Sequence, residues 1–260
     1  MKTKSILALS ILTFAPIALC QESDNTGYFY LHYMTVDSAD AGDHTATEQE
    51  YVSQIHEERI ARGYVEGWNM WVIMNPLDRD GSKRTFLFVH HYASLEQMES
   101  QDYGIYDSFK FKGMSQSESE QLMSEHFDRI TNNWSLIVVG LDRWGDIDQA
   151  DSVYSRLNYM KVDWRRSKDY VDMERNVFKK RGQEGGSRIG WGLGKVLNYF
   201  GSEFPFNFVT VDHFDSYPKL LKTRERIGNY RDLDADTREF FGYRTLANSH
   251  ILSLVTSVKK

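Results

Sequence analysis

The alternation of apolar and polar residues along the chain predicts a regular succession of strands and helices. Residues 28–36 alternate aromatic and aliphatic side chains without a breaker, which is typical of a strand. Residues 47–62 place apolar side chains at helical spacing and stop at Gly63. The same patterns predict the remaining elements of this half, which are strands over 68–74, 85–92 and 134–141, a short helix capped by Ser94 and a longer helix over 116–130. The resulting order, β-α-β-β-α-β with one additional helical segment, is that of a ferredoxin-like domain.

The second half of the chain repeats the first. Four short blocks recur in the same order, with offsets that drift by only a few residues. The blocks are 33–37 at 159–163 (offset 126), 67–68 at 190–191 (offset 123), 89–94 at 211–216 (offset 122), and Arg129, Asn133 and 136–139 at 244, 248 and 251–254 (offset 115). Because the period is longer than that of solenoid repeats, the pattern indicates two duplicated domains.

The duplication sets the predicted domain organisation. The second copy is expected to contain strands over 157–162, 191–197, 206–214 and 250–258 and helices over 167–180 and 218–241. The chain then divides into a leader over 1–20, a first domain over 21–144, a polar linker over 145–153 and a second domain over 154–260. The predicted fold class is α+β, with two tandem ferredoxin-like domains forming a pseudo-dimeric α+β barrel within one chain. The alternative is a homodimer in which two chains pair domain by domain.

The leader has the pattern of a secretory signal peptide. Lys2 and Lys4 precede an apolar stretch over 6–19, which is shorter than the roughly 20 residues that a membrane span needs. Cleavage after Cys20 would leave a mature chain without cysteine and therefore without a disulfide. The pattern predicts an exported protein, periplasmic or secreted, and no integral membrane span. Lipidation of Cys20, as in an outer-membrane lipoprotein, is the alternative, although Leu19 precedes it where lipoprotein signals have a small residue.

Composition narrows the class of partner. With 41% hydrophobic and 26% charged residues, the chain is an ordinary folded protein. Its 31 basic and 37 acidic residues give a formal net charge of −6, which is not the electrostatic footprint of a nucleic-acid-binding protein. A small-molecule ligand is the expected partner.

Several motifs resemble a known superfamily. The run Ile55-His56-Glu57-Glu58-Arg59, the pair Gly67-Trp68 and the run Phe88-Val89-His90-His91-Tyr92 resemble exported bacterial proteins of the dimeric α+β barrel superfamily. The resemblance covers residues 28–258 and implies two ferredoxin-like units packed sheet against sheet around a cavity. Members of the superfamily include cofactor-independent oxygenases, haem-degrading and haem-dependent enzymes, and small-molecule binding proteins. The motifs are structural, and no catalytic residue is carried over from them.

Duplicated strand positions supply the candidate ligand-binding residues. Tyr33 and Tyr159, with Thr35 and Lys161, lie on the strand face opposite to the methionines and valines of the same blocks. That face would line the interior of a tandem barrel, where aromatic and polar groups can orient a ligand. The tyrosines could equally fill the interface between sheets. The residues predicted to bind a ligand are Tyr33, Tyr159, Lys161, Trp68 and Trp191.

Histidines supply the candidate catalytic residues. His91 and His213 end the third strand of each copy, where each could act in proton transfer or bind the start of the next helix beside Ser94 and Ser216. His56 on the first helix could ligate haem, because a helix histidine does so in the superfamily that the motifs resemble. Otherwise it is a solvated helix residue. No cofactor is expected apart from this haem alternative. The chain has neither cysteine clusters nor HxH or HExxH motifs, so no metal site is expected.

Three functions remain open at this point. The favoured hypothesis is an exported binding protein for a small, largely apolar or aromatic molecule, because the aromatic strand face is duplicated and catalytic motifs are missing. The alternatives are a cofactor-independent or haem-linked oxygenase and a non-catalytic protein-interaction module. Whether the chain is an enzyme stays undecided by sequence.

Overall fold

The computed structural model describes residues 26–75, 80–100, 104–145, 153–199, 201, 203–223 and 233–260. The predicted signal peptide and most of the predicted linker lie outside the described residues. Export and the fate of Cys20 therefore stay predictions.

The described strands form a closed antiparallel barrel with the order β1-β3-β2-β8-β5-β7-β6-β4. Each strand has the alternating or continuously apolar composition expected of a sheet packed on both faces. The strand bounds are β1 Tyr28–Asp37, β2 Gly67–Ile73, β3 Lys83–Tyr92, β4 Ile130–Gly145, β5 Tyr154–Val162, β6 Gly190–Val196, β7 Phe208–Phe214 and β8 Arg244–Lys259.

Helices cover the outside of the barrel. In each half the first helix passes through a π-helical segment, Glu48–Val52 or Glu174–Phe178, and a 3₁₀ turn at Trp164–Arg166 precedes α6. The helix bounds are α1 Ala41–Thr47, α2 Ser53–Ala61, α3 Leu95–Glu99, α4 Ile105–Ser108, α5 Gln116–Asp128, α6 Ser167–Met173, α7 Lys179–Glu184, α8 Tyr217–Lys222 and α9 Ala235–Tyr243. Among the residues that the structure describes, no helix is long and apolar enough to cross a membrane.

The longest strands close the barrel. β4 and β8 contain 16 residues each, about twice the lengths predicted from the sequence. β4 pairs with β1 and also with β6, and β8 pairs with β5 and also with β2. Their ends are largely exposed and polar, so the apolar pattern did not include them. The two halves therefore join edge to edge through these extended strands.

The strand registers correct one predicted correspondence. Leu31 of β1 lies opposite Leu136 of β4, and Leu157 of β5 lies opposite His250 of β8. The last strands of the two halves therefore correspond with an offset of 114, and the predicted offset of 115 is wrong by one. The similarity of residue types in the two blocks predicted Ile251 at the position that His250 occupies in the structure. A shift of one residue matters because it turns a side chain to the other face of the sheet.

Side chains alternate between the barrel interior and the layer beneath the helices. The interior cluster includes Tyr33 and Tyr159 together with leucines and valines from all around the barrel. Val36, Met160 and Val162 belong to clusters on the helix side. This arrangement agrees with the strand faces that alternation predicts.

Candidate functional site

The barrel encloses a cavity of about 710 Å³, here called the barrel cavity. Its lining combines aliphatic side chains, among them Leu31, Leu87, Val138, Leu157 and Val209, with aromatic, polar and charged ones. Polar groups at its edge include His91, Ser155 and His213. A mostly apolar cavity with a few polar groups is the usual form of a small-molecule site.

Glycines of β6 form part of this wall. A Cβ atom on Gly194 would overlap Cγ1 of Val138 and approach the Val139 carbonyl oxygen to 3.2 Å. A Cβ atom on Gly192 would lie 3.1 Å from Cγ1 of Val211. The glycine-rich run of β6 thus allows neighbouring strands to pack closely.

His213 and Ser155 form a pair in the barrel cavity. His213 Nδ1 lies 2.7 Å from Ser155 Oγ, and burial lowers the pKa of His213 to about 4, helped by the positive charge of Lys259. The imidazole is therefore neutral near pH 7. His91 occupies the matching place in the other half, where its ring stacks on Phe29 with centroids 4.8 Å apart, and burial lowers its pKa.

The suggested capping role of these histidines is wrong. Ser94 accepts a hydrogen bond from the backbone N–H of Gln97 at the start of α3, without His91. Ser216 makes no side-chain capping bond at α8, and His213 forms its hydrogen bond with Ser155. Both imidazoles instead face the barrel cavity.

Tyr33 and Tyr159 meet inside the barrel, and each lies two residues along its strand from a residue that lines the barrel cavity. Their hydroxyl groups form a short hydrogen bond with each other. Tyr159 Oη also lies 3.1 Å from His250 Nδ1, and Trp134 stacks on the Tyr33 ring at 3.9 Å. Burial raises the pKa of both tyrosines. The pair lines neither of the two cavities, so it packs the barrel instead of contacting a ligand there.

Lys161 lies away from both cavities as well. Its Nζ donates to the backbone carbonyl oxygen of Phe204 and lies 3.4 Å from that of Gly201. These bonds fix the segment before β7, and they correct the expectation that Lys161 binds a ligand in the barrel cavity.

A second cavity of about 510 Å³ lies between the sheet and the helices of the first half. This helix-side cavity is lined by residues of β1, β2, β3, the α1–α2 helix and the α3–α5 region. Aromatic side chains form much of its wall, among them Tyr30, Trp68, Phe88, Tyr92 and Tyr106. Of the predicted site residues, His56 and Trp68 lie here, with their rings stacked 4.4 Å apart.

The buried guanidinium of Arg59 organises the polar groups of the helix-side cavity. Its Nη1 lies 2.9 Å from Tyr106 Oη, 3.3 Å from His56 Nδ1 and 3.4 Å from His90 Nδ1. A guanidinium can only donate, and Nη1 carries two hydrogens, so it donates to Tyr106 Oη and to one of the two Nδ1 atoms. The imidazole that accepts has its own proton on Nε2 when it is neutral. Burial, the neighbouring imidazole and Arg59 lower the pKa of His56, and burial and Arg59 lower that of His90. Burial raises the pKa of Tyr106 to about 12.

This arrangement offers hydrogen-bond donors to a bound oxygen atom. Arg59 carries a permanent positive charge, and Tyr106 Oη already accepts from Arg59, which leaves its own hydrogen to donate. His32, which neither the motifs nor the duplication singled out, lines the same cavity, and burial lowers its pKa. A neutral imidazole beside a fixed cation is a combination that can remove a proton and stabilise the resulting oxyanion.

The haem alternative does not fit His56. Its Nδ1 faces Arg59, its Nε2 lies 3.4 Å from Tyr106 Oη, and its ring stacks on Trp68. Both ring nitrogens already have hydrogen-bond partners, so neither is directed at an axial position of haem iron.

Three further buried polar residues meet next to the helix-side cavity, and one of them, Glu48, lines it. His126 Nε2 lies 2.8 Å from Glu48 Oε1, and His44 Nε2 lies 3.9 Å from the same oxygen. Burial, with His126 and Arg129 nearby, lowers the pKa of His44 to about 3. Burial raises the pKa of Glu48, against the hydrogen bond from His126. Sequence reasoning missed this group, although His44 and Glu48 have the i, i+4 spacing of neighbours on a helix.

The second half places charged side chains at the corresponding positions. Asp212 takes the place of His90, and Arg188 Nη1 forms an ion pair with its Oδ1 at 2.9 Å. Glu174 lies buried nearby, and burial raises its pKa to about 7. Trp191 packs in the hydrophobic cluster of this half and reaches the lining of the barrel cavity.

Comparison with known proteins identifies the fold. Solved structures with the same fold include a candidate monooxygenase of Fusobacterium nucleatum subsp. nucleatum, at a TM-score of 0.60, 11% identity, and coverage of 90% of this chain and 94% of that one. A candidate monooxygenase of Lactobacillus acidophilus has a TM-score of 0.54 and 9% identity, and the match covers 89% of this chain and 95% of that one. An anthrone oxidase-like protein has a TM-score of 0.55 and 12% identity, and the match covers 91% of this chain and 94% of that one.

The chain has the dimeric α+β barrel fold. At these identities the likeness to solved structures shows the fold alone, and the resemblance inferred from the sequence is confirmed to that extent. No protein-family model matches the sequence. The search of curated proteins finds no similar sequence.

Proposed function

We propose that the chain is an oxygenase-type enzyme that acts on a small, largely aromatic molecule in the helix-side cavity. The observation that carries the proposal is the Arg59 cluster, in which a buried cation and a phenol hydroxyl face an aromatic-walled cavity together with neutral imidazoles. The names of the similar structures, monooxygenase and anthrone oxidase-like protein, support the choice of reaction class.

The proposed reaction uses the residues in three roles. His32 takes a proton from an acidic C–H or O–H of the substrate, and Arg59 and Tyr106 hold the enolate or phenolate oxygen that results. Dioxygen adds at the electron-rich carbon to give a peroxide, which receives the proton back from His32. Loss of water then converts a methylene group into a carbonyl, so that R₂CH₂ and O₂ give R₂C=O and H₂O. The permanent charge of Arg59 stabilises the anion strongly because this guanidinium is itself buried.

Oxygen uptake with anthrone, a three-ring ketone with an acidic methylene group, tests the proposal. We expect Arg59→Met to lower kcat/KM for anthrone at least tenfold, because the oxyanion loses its cation. Arg62→Met is the matched control, since Arg62 lies on the surface three residues further along and pairs with Glu58. Circular dichroism would establish that both variants are folded.

Three outcomes would contradict the proposal. Equal oxygen uptake by Arg59→Met and Arg62→Met would remove Arg59 from the site. Loss of activity in His213→Gln, with Arg59→Met unaffected, would move the chemistry to the barrel cavity. Tight binding of anthrone without oxygen uptake in the unmodified protein would favour a binding protein.

The binding-protein hypothesis has its own structural support. The barrel cavity is large and has apolar side chains in its lining, and its Ser155–His213 pair could orient a polar group of a bound molecule. The unmodified protein should then bind an apolar fluorescent probe, and Leu157→Trp, which fills the barrel cavity, should not. Such a result, with the helix-side cavity intact, would support this second function.

We further propose that the two halves are tandem ferredoxin-like domains within one chain. In the barrel, β4-β1-β3-β2 and β8-β5-β7-β6 have the same order within each half, in agreement with the repeated sequence blocks. Export is proposed on the leader sequence alone, and a secreted protein beginning at Gln21 would support it.

A further inference from the structure

Two imidazoles and one carboxylate meet in the interior of the first half. They belong to His44 and Glu48, on consecutive turns of the first helix, and to His126 on α5. All three residues are at most 2% exposed, and one potential ligand atom from each lies within 4.8 Å of the others. Within the part of the chain that the structure describes, this is the one such group of three or more histidine, cysteine or acidic residues.

Most polar atoms of this group have no hydrogen-bond partner. Both ring nitrogens of His44, Oε2 of Glu48 and Nδ1 of His126 are buried without one. The hydrogen bond between His126 and Glu48 accounts for only two of the available ligand atoms. Because buried polar groups are nearly always satisfied, such a concentration of unpartnered donors and acceptors indicates that a ligand belongs between them.

We propose that His44, Glu48 and His126 bind one divalent transition-metal ion. Two imidazole nitrogens and one carboxylate oxygen form a ligand set suited to Fe²⁺, Mn²⁺ or Zn²⁺. Ligands about 2.1 Å from a tetrahedral ion lie about 3.4 Å apart. The observed separations of 2.8 and 3.9 Å from Glu48 Oε1 bracket that value. This inference departs from the expectation from sequence that the chain holds no metal.

The surroundings favour an ion with one open position. His44 packs against the rings of Phe86 and Phe88, with centroids 5.0 and 6.1 Å away, so this side is closed to water. Glu48 lines the helix-side cavity, and a small molecule in that cavity could therefore reach the ion. Three protein ligands and an open fourth position are typical of catalytic metal sites, whereas structural sites are closed.

Metal binding requires a small movement of the rings. The imidazoles of His44 and His126 are stacked almost parallel, with centroids 4.5 Å apart and planes at 7°. Parallel rings direct their lone pairs side by side, so the rings must tilt towards each other to share one ion. The positive charge of Arg129 acts on His44 and works against a cation. We therefore expect moderate affinity, and Arg129→Gln should tighten binding.

Titration of the purified, EDTA-treated protein with Co²⁺ tests the site directly. We expect one equivalent to bind and to produce ligand-field bands in the visible spectrum. Glu48→Gln keeps the size of the side chain and an oxygen that accepts from His126, but it should weaken Co²⁺ binding at least tenfold. Glu50→Gln, an exposed glutamate on the same helical turn, is the matched control and should bind as the unmodified protein does.

Other variants keep the test decisive. His126→Gln should also lose the bands, which protects the conclusion if Glu48→Gln fails to fold. Equal affinity in Glu48→Gln, His126→Gln and Glu50→Gln, or a protein that never develops the bands, would overturn the site. The inference does not rest on the proposed oxygenase function, because Arg59→Met should lower kcat/KM for anthrone at least tenfold while leaving Co²⁺ binding unchanged.

Discussion

At the scale of single residues, several imidazoles are buried in the interior of this molecule. His44, His56, His126 and His250 are at most 2% exposed, and each lies beside another aromatic ring. Burial lowers the pKa of His44, His56 and His250, which keeps these rings neutral near pH 7. A neutral imidazole both donates and accepts, which suits a position between two polar partners.

His250 should make the folded protein sensitive to acid. Burial lowers its pKa from 6.5 to about 4, so the unfolded chain binds a proton that the folded chain does not bind until about pH 4. Stability is therefore lost as pH falls from above 6.5 towards 4, by at most roughly 3 kcal/mol for this residue. In His250→Leu, which copies the leucine at the matching position 136, the loss between pH 7 and pH 4 should be smaller by up to that amount. Urea unfolding at both pH values measures it, and an unchanged difference would contradict the assignment.

At the scale of elements, one irregular helix positions the buried polar groups of the first half. The α1–α2 helix runs from Ala41 to Ala61 with a π-helical segment at Glu48–Val52, and its face towards the sheet carries His44, Glu48, His56 and Arg59. The sequence predicted a helix from residue 47 only, because the earlier residues lack apolar periodicity. Polar side chains on this buried face take the place of the usual apolar stripe, so the pattern that predicts helices could not include them.

Strand β6 offers a test at the same scale. Gly194→Ala places a methyl group against Val138 and the Val139 carbonyl oxygen, and we expect a loss of about 1–3 kcal/mol in the free energy of unfolding. Gly242→Ala in α9 is the control, because open space surrounds that position and alanine favours a helix. Adding Val138→Ala to Gly194→Ala should recover part of the loss. Equal stability of the two single variants would show that β6 does not need its glycine.

At the scale of the whole molecule, the barrel is closed, but its two halves differ in the polar side chains that they place beneath the helices. β2 pairs with β8 and β4 pairs with β6, so every described strand has two neighbours. The first half keeps the helix-side cavity, whereas the second half places the Arg188–Asp212 ion pair where the first has His90. The two halves therefore share one scaffold but differ in the polar groups that they place beneath the helices.

Closure within one chain predicts a monomer in solution. Because the barrel leaves no unpaired edge among its described strands, no second chain is needed to complete the sheet. Light scattering coupled to size-exclusion chromatography should give the mass of one chain across a hundredfold range of concentration. A dimer that persists on dilution would contradict this expectation and revive the alternative of pairing between chains.

The sequence by itself determined the order of strands and helices, the bounds of most strands to within a few residues, and which residues of β1 and β5 face the barrel. These features depend on neighbours along the chain and on the two-residue period of a strand. Only the tertiary structure decided which strands close the barrel and which polar groups meet. Arg59 reaches His90 from 31 residues away, and Glu48 reaches His126 from 78 residues away. Such contacts depend on how elements pack in space, and a single sequence carries no local pattern that records them.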